Sequence, residues 1–166
     1  MRRLGLIGFS GSGKSSLAAF ASKNGFNTVD TDALIEEKDP KAFELLKNGA
    51  EEDFRMLETC VISDVLKSDF DIAAFGGGVH FAHPAWKKIY ESSLKLVYLR
   101  SSFENLAGRF EERPLYRKLG RESYKKLFLA RCPLYEKAAA FVIDTDGRGL
   151  NEIWSEIEEI WNSLFR

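Results

Sequence analysis

Near its beginning the chain carries a glycine-rich stretch that fits a phosphate-binding loop: Gly8-Phe9-Ser10-Gly11-Ser12-Gly13-Lys14-Ser15. This stretch satisfies the pattern G-x-x-x-x-G-K-[ST], follows an apolar segment and opens a helical pattern. Glycine permits the backbone angles that closely spaced, inward-pointing amides require. Lys14 would then reach the β- and γ-phosphates of ATP, and the Ser15 hydroxyl would bind Mg²⁺. We therefore predict an ATP site formed by Ser10, Gly11, Ser12, Gly13, Lys14, Ser15 and Ser16.

Two carboxylates follow the second apolar stretch, in the segment Asp30-Thr31-Asp32. The ligand crevice of an open parallel sheet lies outside the carboxyl ends of its strands, so we expect this pair to face the phosphate loop. The third apolar stretch ends in Gly76 rather than in an acid, which leaves Asp30 as the carboxylate for hydrated Mg²⁺. Asp32 would accept a proton from an attacking hydroxyl. Capping of the next helix is an alternative role for Asp32, compatible with catalysis.

Two arginines and a run of glycines suggest a pocket for a second substrate. Arg55 and Glu58 lie three residues apart in a helical pattern, where they can form an ion pair. Gly76-Gly77-Gly78 would destabilise the chain unless something must approach the backbone closely, and their N–H groups offer hydrogen-bond donors. Arg55, oriented by Glu58, and Arg131 could hold a carboxylate as planar donors. The alternatives are a solvated ion pair for Arg55 and a surface charge for Arg131.

The elements that must position these residues follow from an alternation of short apolar runs with longer amphipathic ones. This alternation predicts one α/β domain, residues 1–166, with a parallel sheet and helices on both faces. The predicted strands are 3–7, 27–29, 71–75, 95–99 and 140–143. The predicted helices are about 14–23, 33–47, 51–67, 84–91, 103–109, 121–137 and 150–165, the last with its two tryptophans on a core-facing stripe. The charged stretch 110–120 is irregular and predicts a mobile flap.

Composition excludes several classes of function. The 24 lysines and arginines balance 25 aspartates and glutamates to a net charge of −1, which argues against a nucleic-acid-binding or membrane-surface protein. Cys60 and Cys132 lack C-x-x-C spacing, which is typical of a reducing compartment and predicts no disulfide. We find neither a signal-peptide pattern nor a membrane-spanning run, and so expect a cytoplasmic protein. We also expect it to act as a monomer.

Taken together, the motifs resemble the shikimate kinase family of P-loop small-molecule kinases. In chain order they are the phosphate loop, Asp30-Thr31-Asp32, Phe54-Arg55 with Glu58, Gly76-Gly77-Gly78, Arg113-Pro114-Leu115 and Arg131-x-Pro133-Leu134-Tyr135. The motifs extend over essentially the whole chain, and the spacing between them is close to that in the family. The resemblance therefore rests on all of them together rather than on any single motif. The resemblance implies a nucleoside-monophosphate-kinase-like three-layer α/β sandwich with a five-stranded parallel sheet in the order 2-3-1-4-5.

The resemblance also implies an activity and a role for each motif. ATP would phosphorylate the 3-hydroxyl of shikimate, in the pathway to chorismate and the aromatic amino acids. The implied catalytic residues are Asp32, Lys14 and Arg113, and the implied metal ligands are Ser15 and Asp30. The implied shikimate-binding residues are Asp32, Arg55, Glu58, Gly76, Gly77, Gly78 and Arg131. Arg113 would belong to a lid, about residues 110–122, Arg109 would lie near the adenine, and residues of about 31–60 would form a substrate-binding subdomain.

The chain departs from the family pattern in the acceptor region. Where the family usually has a Thr-Gly pair ahead of the substrate helix, this chain has Glu37-Lys38-Asp39-Pro40-Lys41, and the lid between Arg109 and Arg113 is short. Two alternatives therefore stay open: a kinase for another small hydroxylated carboxylate such as gluconate, and a non-catalytic binding module. His80 and His83 are interpreted as polar loop residues, and we predict no zinc site.

Overall fold

The computed structural model describes residues 2–111 and 113–165. Its five strands form one parallel sheet in the order β2-β3-β1-β4-β5, which confirms the predicted order 2-3-1-4-5. The strands are β1 Leu4–Ile7, β2 Thr28–Asp30, β3 Ile72–Ala74, β4 Lys95–Arg100 and β5 Phe141–Asp144. All four residues of the central strand β1 are buried, as expected for a parallel strand with helices over both faces.

The helices connect these strands and form the outer layers. They are α1 Lys14–Lys23, α2 Thr31–Lys38, α3 Ala42–Lys47, α4 Glu51–Lys67, α5 Trp86–Glu91, α6 Phe103–Ala107, α7 Pro114–Ala138 and α8 Leu150–Phe165. None of the helices within residues 2–111 and 113–165 combines the length and the apolar character that a bilayer crossing requires.

Two helix predictions were wrong. The single helix predicted for 33–47 is two helices, α2 and α3, separated at Asp39-Pro40. Proline disfavours a helical residue before it, and the Asp39 carboxylate accepts a hydrogen bond from the Lys41 backbone N–H at 2.9 Å. The long helix α7 begins at Pro114 rather than at 121, so the predicted irregular stretch is partly helical. Gly120, with φ 72° and ψ 169°, interrupts this helix in a conformation open almost only to glycine.

Two apolar clusters occupy the two faces of the sheet and confirm the sandwich. On one face Leu6 and Val97 pack with Trp154 of α8, and the partly buried Trp161 joins them, as its helical stripe predicted. On the other face, aromatic rings anchor the phosphate loop itself. The ring of Phe9 lies 5.0 Å from Tyr124 and 5.2 Å from Phe128, centroid to centroid. A rigid core on both sides therefore fixes the loop that follows β1.

Candidate active site

Two connected cavities open at the carboxyl ends of β1, β2 and β3, where an α/β sheet is expected to bind its ligands. The larger has a volume of about 850 Å³ and the smaller about 480 Å³. The smaller is lined by the phosphate loop. Among the described residues, six line both cavities, and each of these is a predicted site residue: Ser10, Ser15, Asp32, Gly77, Arg109 and Arg113. A group passed from one cavity to the other would cross this junction.

The phosphate loop has the backbone that its sequence predicts. Gly11 and Gly13 have φ angles of 85° and 94°, in the left-handed region. The Lys14 side chain is only 7% exposed and folds back over the loop. Its Nζ donates to the carbonyl of Gly8 at 2.8 Å and to that of Phe9 at 3.0 Å. Burial lowers the pKa of Lys14 to about 8, against the opposing attraction of Asp32.

The two aspartates at the carboxyl end of β2 have different roles, and the helix cap that was an alternative role for Asp32 is provided by its neighbour. Asp30, not Asp32, is the N-cap of α2: its Oδ1 accepts from the N–H of Asp32 at 2.9 Å and from that of Ala33 at 3.3 Å. Both bonds are accepted by Oδ1, and Asp30 also lines the larger cavity. Asp32 is thereby released from capping and available to a substrate.

Asp32 lies in an environment that disfavours its charge. Burial raises the pKa of Asp32 to about 6; the nearby Lys14 opposes this shift, while Asp30 and Glu58 add to it. A carboxylate with a pKa close to neutrality is well suited to accept a proton during a reaction at physiological pH. Position and pKa make Asp32 the candidate base of the site.

Side chains of the protein pack closely against the run of three glycines. A Cβ on Gly76 would lie 2.6 Å from Asp32 Oδ1, and a Cβ on Gly78 would lie 2.0 Å from Arg55 Nη1. The Gly76 N–H donates to the buried Thr31 hydroxyl at 3.0 Å, so this amide is not a free donor for a ligand. Of the three glycines, Gly77 and Gly78 line the larger cavity and Gly76 does not. Gly76 therefore packs closely against Asp32, and its role in acceptor binding stays a prediction.

Arg55 and Arg131 come together at the larger cavity from different helices. Arg131, from α7, donates from Nη1 to the carbonyl of Gly77 at 3.2 Å, and its guanidinium lies 5.9 Å from the Phe9 ring centre. Arg55, from α4, forms an ion pair with Glu58. Two guanidinium groups on one cavity create a strong site for an anion.

Glu58 is a buried carboxylate, 1% exposed, that orients Arg55. Burial by itself would raise the pKa of Glu58, but the hydrogen bond from His83 and the charge of Arg55 bring it below its ordinary value. The Arg55–Glu58 pair is therefore not the solvated surface pair that spacing alone also allowed. Glu58 remains ionised and holds Arg55 at the cavity.

The smaller cavity continues from the phosphate loop toward the loop after β5. Arg109 donates from Nη1 to the carbonyl of Gly11 at 2.8 Å, which links the segment after α6 to the phosphate loop. Ser16, one of the predicted ATP-binding residues, lines this cavity.

Sequence reasoning missed several residues of these two cavities. Asn105, Thr145 and Arg148 line the smaller one. Because ligands bind at the carboxyl ends of parallel strands, the position of Thr145 after β5 could have identified it. No motif in the sequence marks Asn105. The supporting roles of Thr31, of His83 and of Tyr135, whose hydroxyl donates to the Gly77 carbonyl, were also missed. Their partners lie 25 to 58 residues away in the chain.

Known proteins provide an independent comparison. The family model described as shikimate kinase matches residues 10–161. A shikimate kinase of Streptococcus gordonii is 33% identical over 153 residues, covering 89% of this chain and 93% of the relative. One of Dehalococcoides mccartyi is 34% identical over 161 residues, covering 94% and 91%.

The solved structures give the same result at the level of the fold. A shikimate kinase from Acinetobacter baumannii, solved in complex with shikimate, superposes with a TM-score of 0.85. The match covers 99% of this chain and 95% of that one at 22% identity. Since the family model spans most of the chain and curated members share one third of its residues, the chain belongs to the shikimate kinase family.

Proposed function

We propose that this protein transfers the γ-phosphoryl group of MgATP to the 3-hydroxyl of shikimate, forming shikimate 3-phosphate and ADP. The observation that carries the proposal is the junction of the two cavities at Asp32. One cavity contains the phosphate loop, and the other contains Arg55 and Arg131, which suit the single carboxylate of shikimate. Family membership supports shikimate over gluconate as the acceptor.

The smaller cavity is assigned to ATP. The loop amides and the N-terminus of α1 receive the phosphates, whose charge suits the helix dipole. The Lys14 ammonium, now bonded to the Gly8 and Phe9 carbonyls, exchanges these weaker partners for phosphate oxygens. Arg109 and Arg113 contribute further positive charge at the junction. The nucleotide thereby presents its γ-phosphate to the larger cavity.

The reaction is an in-line displacement at the γ-phosphorus. The hydroxyl oxygen of shikimate forms a bond to that phosphorus while the bond to the β,γ-bridging oxygen breaks, and ADP leaves with the bonding electron pair. The hydroxyl proton passes to a carboxylate oxygen of Asp32. Lys14 and Arg113 stabilise the negative charge of the transferring group. Because the transition state is loose, positioning by Arg55 and Arg131 supplies much of the rate acceleration.

The metal proposed is Mg²⁺, which the Ser15 hydroxyl and the Asp30 carboxylate would hold. The donors fit: both are hard oxygen ligands, and both line the larger cavity. Within residues 2–111 and 113–165 no cluster of three or more His, Cys, Asp or Glu side chains could hold a metal. When bound, Mg²⁺ neutralises charge on the β- and γ-phosphates.

We assign residues of about 31–60 to an acceptor-binding subdomain and about 110–122 to a lid that closes over the substrates. In support, Lys118 Nζ donates to the Leu46 carbonyl at 3.3 Å, which links the first part of α7 to α3. Gly120 provides a glycine-specific junction at the end of this segment. We further propose that the protein acts as a monomer and that it acts in the cytoplasm.

The pH dependence follows from Asp32. Its pKa of about 6 means that the carboxylate becomes protonated, and inactive as a base, as the pH falls through that value. We expect kcat/KM for shikimate at saturating MgATP to decrease about tenfold per pH unit below about pH 6. Initial rates measured between pH 5 and pH 8 would show this decrease in kcat/KM. A flat profile with a folded enzyme would exclude titration of the base in this range.

The acceptor is tested by a coupled ADP-release assay with shikimate, quinate, gluconate and no acceptor. We expect turnover with shikimate to exceed turnover with the others, and phosphorus NMR of the product to show a phosphate monoester on the 3-hydroxyl. Turnover with gluconate but not shikimate would overturn the proposed acceptor. ATP binding without turnover of any acceptor would favour the non-catalytic binding module.

A further inference from the structure

His83 lines neither cavity but contacts Glu58, which lines the larger one. It belongs to the loop between β3 and α5 and is 4% exposed. Both of its ring nitrogens have partners on different elements. Nδ1 accepts from the backbone N–H of Ala85 at 3.0 Å, and Nε2 lies 2.8 Å from Glu58 Oε2 on α4.

These two hydrogen-bond partners determine which ring nitrogen of His83 carries the proton. A backbone N–H can only donate, so Nδ1 must be unprotonated, and a neutral imidazole then carries its proton on Nε2. The Nε2–H group therefore donates to the Glu58 carboxylate. His83 is a neutral donor to a buried anion, rather than the polar loop residue that the sequence suggested.

Glu58, held by His83, in turn restrains the Arg55 side chain. The same oxygen, Oε2, accepts from His83 and from Arg55 Nη1. Arg55 also pairs with Glu51 at 3.2 Å, but the Glu51 side chain is 55% exposed and hence weakly restrained. Arg55 also lies against Gly78, leaving a Cβ at that glycine no room. The orientation of Arg55 thus depends chiefly on Glu58, and that of Glu58 on His83.

We propose that His83 is a positioning residue for the acceptor, acting through Glu58 to hold Arg55 in the orientation that binds the acceptor carboxylate. This inference rests on the proposed function. His83 and the glycines belong to the segment after β3, and Arg55 belongs to α4, so the hydrogen bond from His83 to Glu58 joins the two halves of the acceptor pocket. A preorganised pocket binds its ligand more tightly because less ordering remains to be done.

Two variants separate this role from a merely structural one. In His83→Asn the side-chain oxygen can take the place of Nδ1, which keeps the bond from Ala85 and loses the donor to Glu58. In His83→Gln the longer amide reaches the position of Nε2, which keeps the donor and loses the bond from Ala85. We expect His83→Asn to raise KM for shikimate about tenfold with KM for ATP unchanged, and His83→Gln to restore most of that loss.

The opposite pattern would overturn the proposal: a larger loss in His83→Gln than in His83→Asn would make the loop bond to Ala85 the important one. Parallel increases in KM for ATP and for shikimate would also overturn it, because they indicate a general loosening of the fold. Thermal unfolding of both variants verifies that the comparison is made between folded proteins.

Ring-nitrogen NMR tests the hydrogen-bonded pair without any substrate. The chain has two histidines, so a His80→Asn variant assigns the spectrum. We expect His83 to be neutral with its proton on Nε2; a proton on Nδ1 would overturn the proposal. If the wild type does not phosphorylate shikimate, the proposed function fails by itself, and the NMR result still decides whether His83 holds Glu58.

Discussion

Replacement of Asp32 by asparagine is expected to lower kcat for shikimate phosphorylation by about two to four orders of magnitude, the usual contribution of a general base. Asparagine has nearly the same shape but cannot accept the hydroxyl proton. Asp32 lies at the junction of the cavities, and its pKa is raised to about 6. Coupled ADP release gives kcat, and titration calorimetry should show that ATP still binds.

Stability separates a catalytic defect from misfolding in this variant. Since the pKa of Asp32 is raised from 3.8 to about 6 in the folded protein, stability falls as the pH rises through this window, and the cost of the ionised form is complete above about pH 6. The neutral amide removes that cost. We therefore expect Asp32→Asn to unfold at the same or a higher temperature than the wild type. Asp53→Asn, the same charge change at an exposed position of α4, is the matched control. Wild-type turnover in Asp32→Asn would exclude Asp32 as the base.

Removal of the Arg131 side chain is expected to raise KM for shikimate about a hundredfold while KM for ATP changes little. A charge-assisted pair with a carboxylate in a partly enclosed site contributes on the order of 2–5 kcal/mol. In this structure Arg131 faces the larger cavity but does not line the smaller one. Initial rates with each substrate varied in turn measure the two KM values for Arg131→Ala.

Two further variants sharpen this result. Arg131→Lys retains the charge but loses the planar pair of donors, so we expect it to recover only part of the affinity. Lys126→Ala removes one positive charge from the exposed side of the same helix and is expected to leave both KM values unchanged. Equal losses for ATP and shikimate in Arg131→Ala would remove Arg131 from the carboxylate site.

The sequence determined the features that depend on local pattern. Short apolar runs predicted five strands, and G-x-x-x-x-G-K-[ST] between a strand and a helix predicted the phosphate loop, with the positive φ angles at Gly11 and Gly13 that it requires. The strand order came from resemblance to a family, since periodicity alone does not order strands. The apolar stripe of α8 likewise predicted burial of Trp154, because a helical repeat specifies its own inner face.

The helix boundaries show where local pattern was insufficient. The apolar period continues across Asp39-Pro40, yet the helix breaks there because the residue before a proline avoids helical angles. Conversely, residues from Pro114 are helical although the stretch is highly charged, with proline in the first turn, where its missing N–H costs nothing.

Only the tertiary structure decided how the site residues are supported. It assigned the helix cap to Asp30 and left Asp32 to the cavity, bonded Gly76 to Thr31, and joined His83 to Glu58 across 25 residues. The periodicity of the sequence does not reveal these contacts, because a hydrogen bond between distant segments depends on how the sheet and helices pack. The sequence thus specified which groups are present at the carboxyl ends of the strands, and packing specified which of them touch, which are buried and how their pKa values shift.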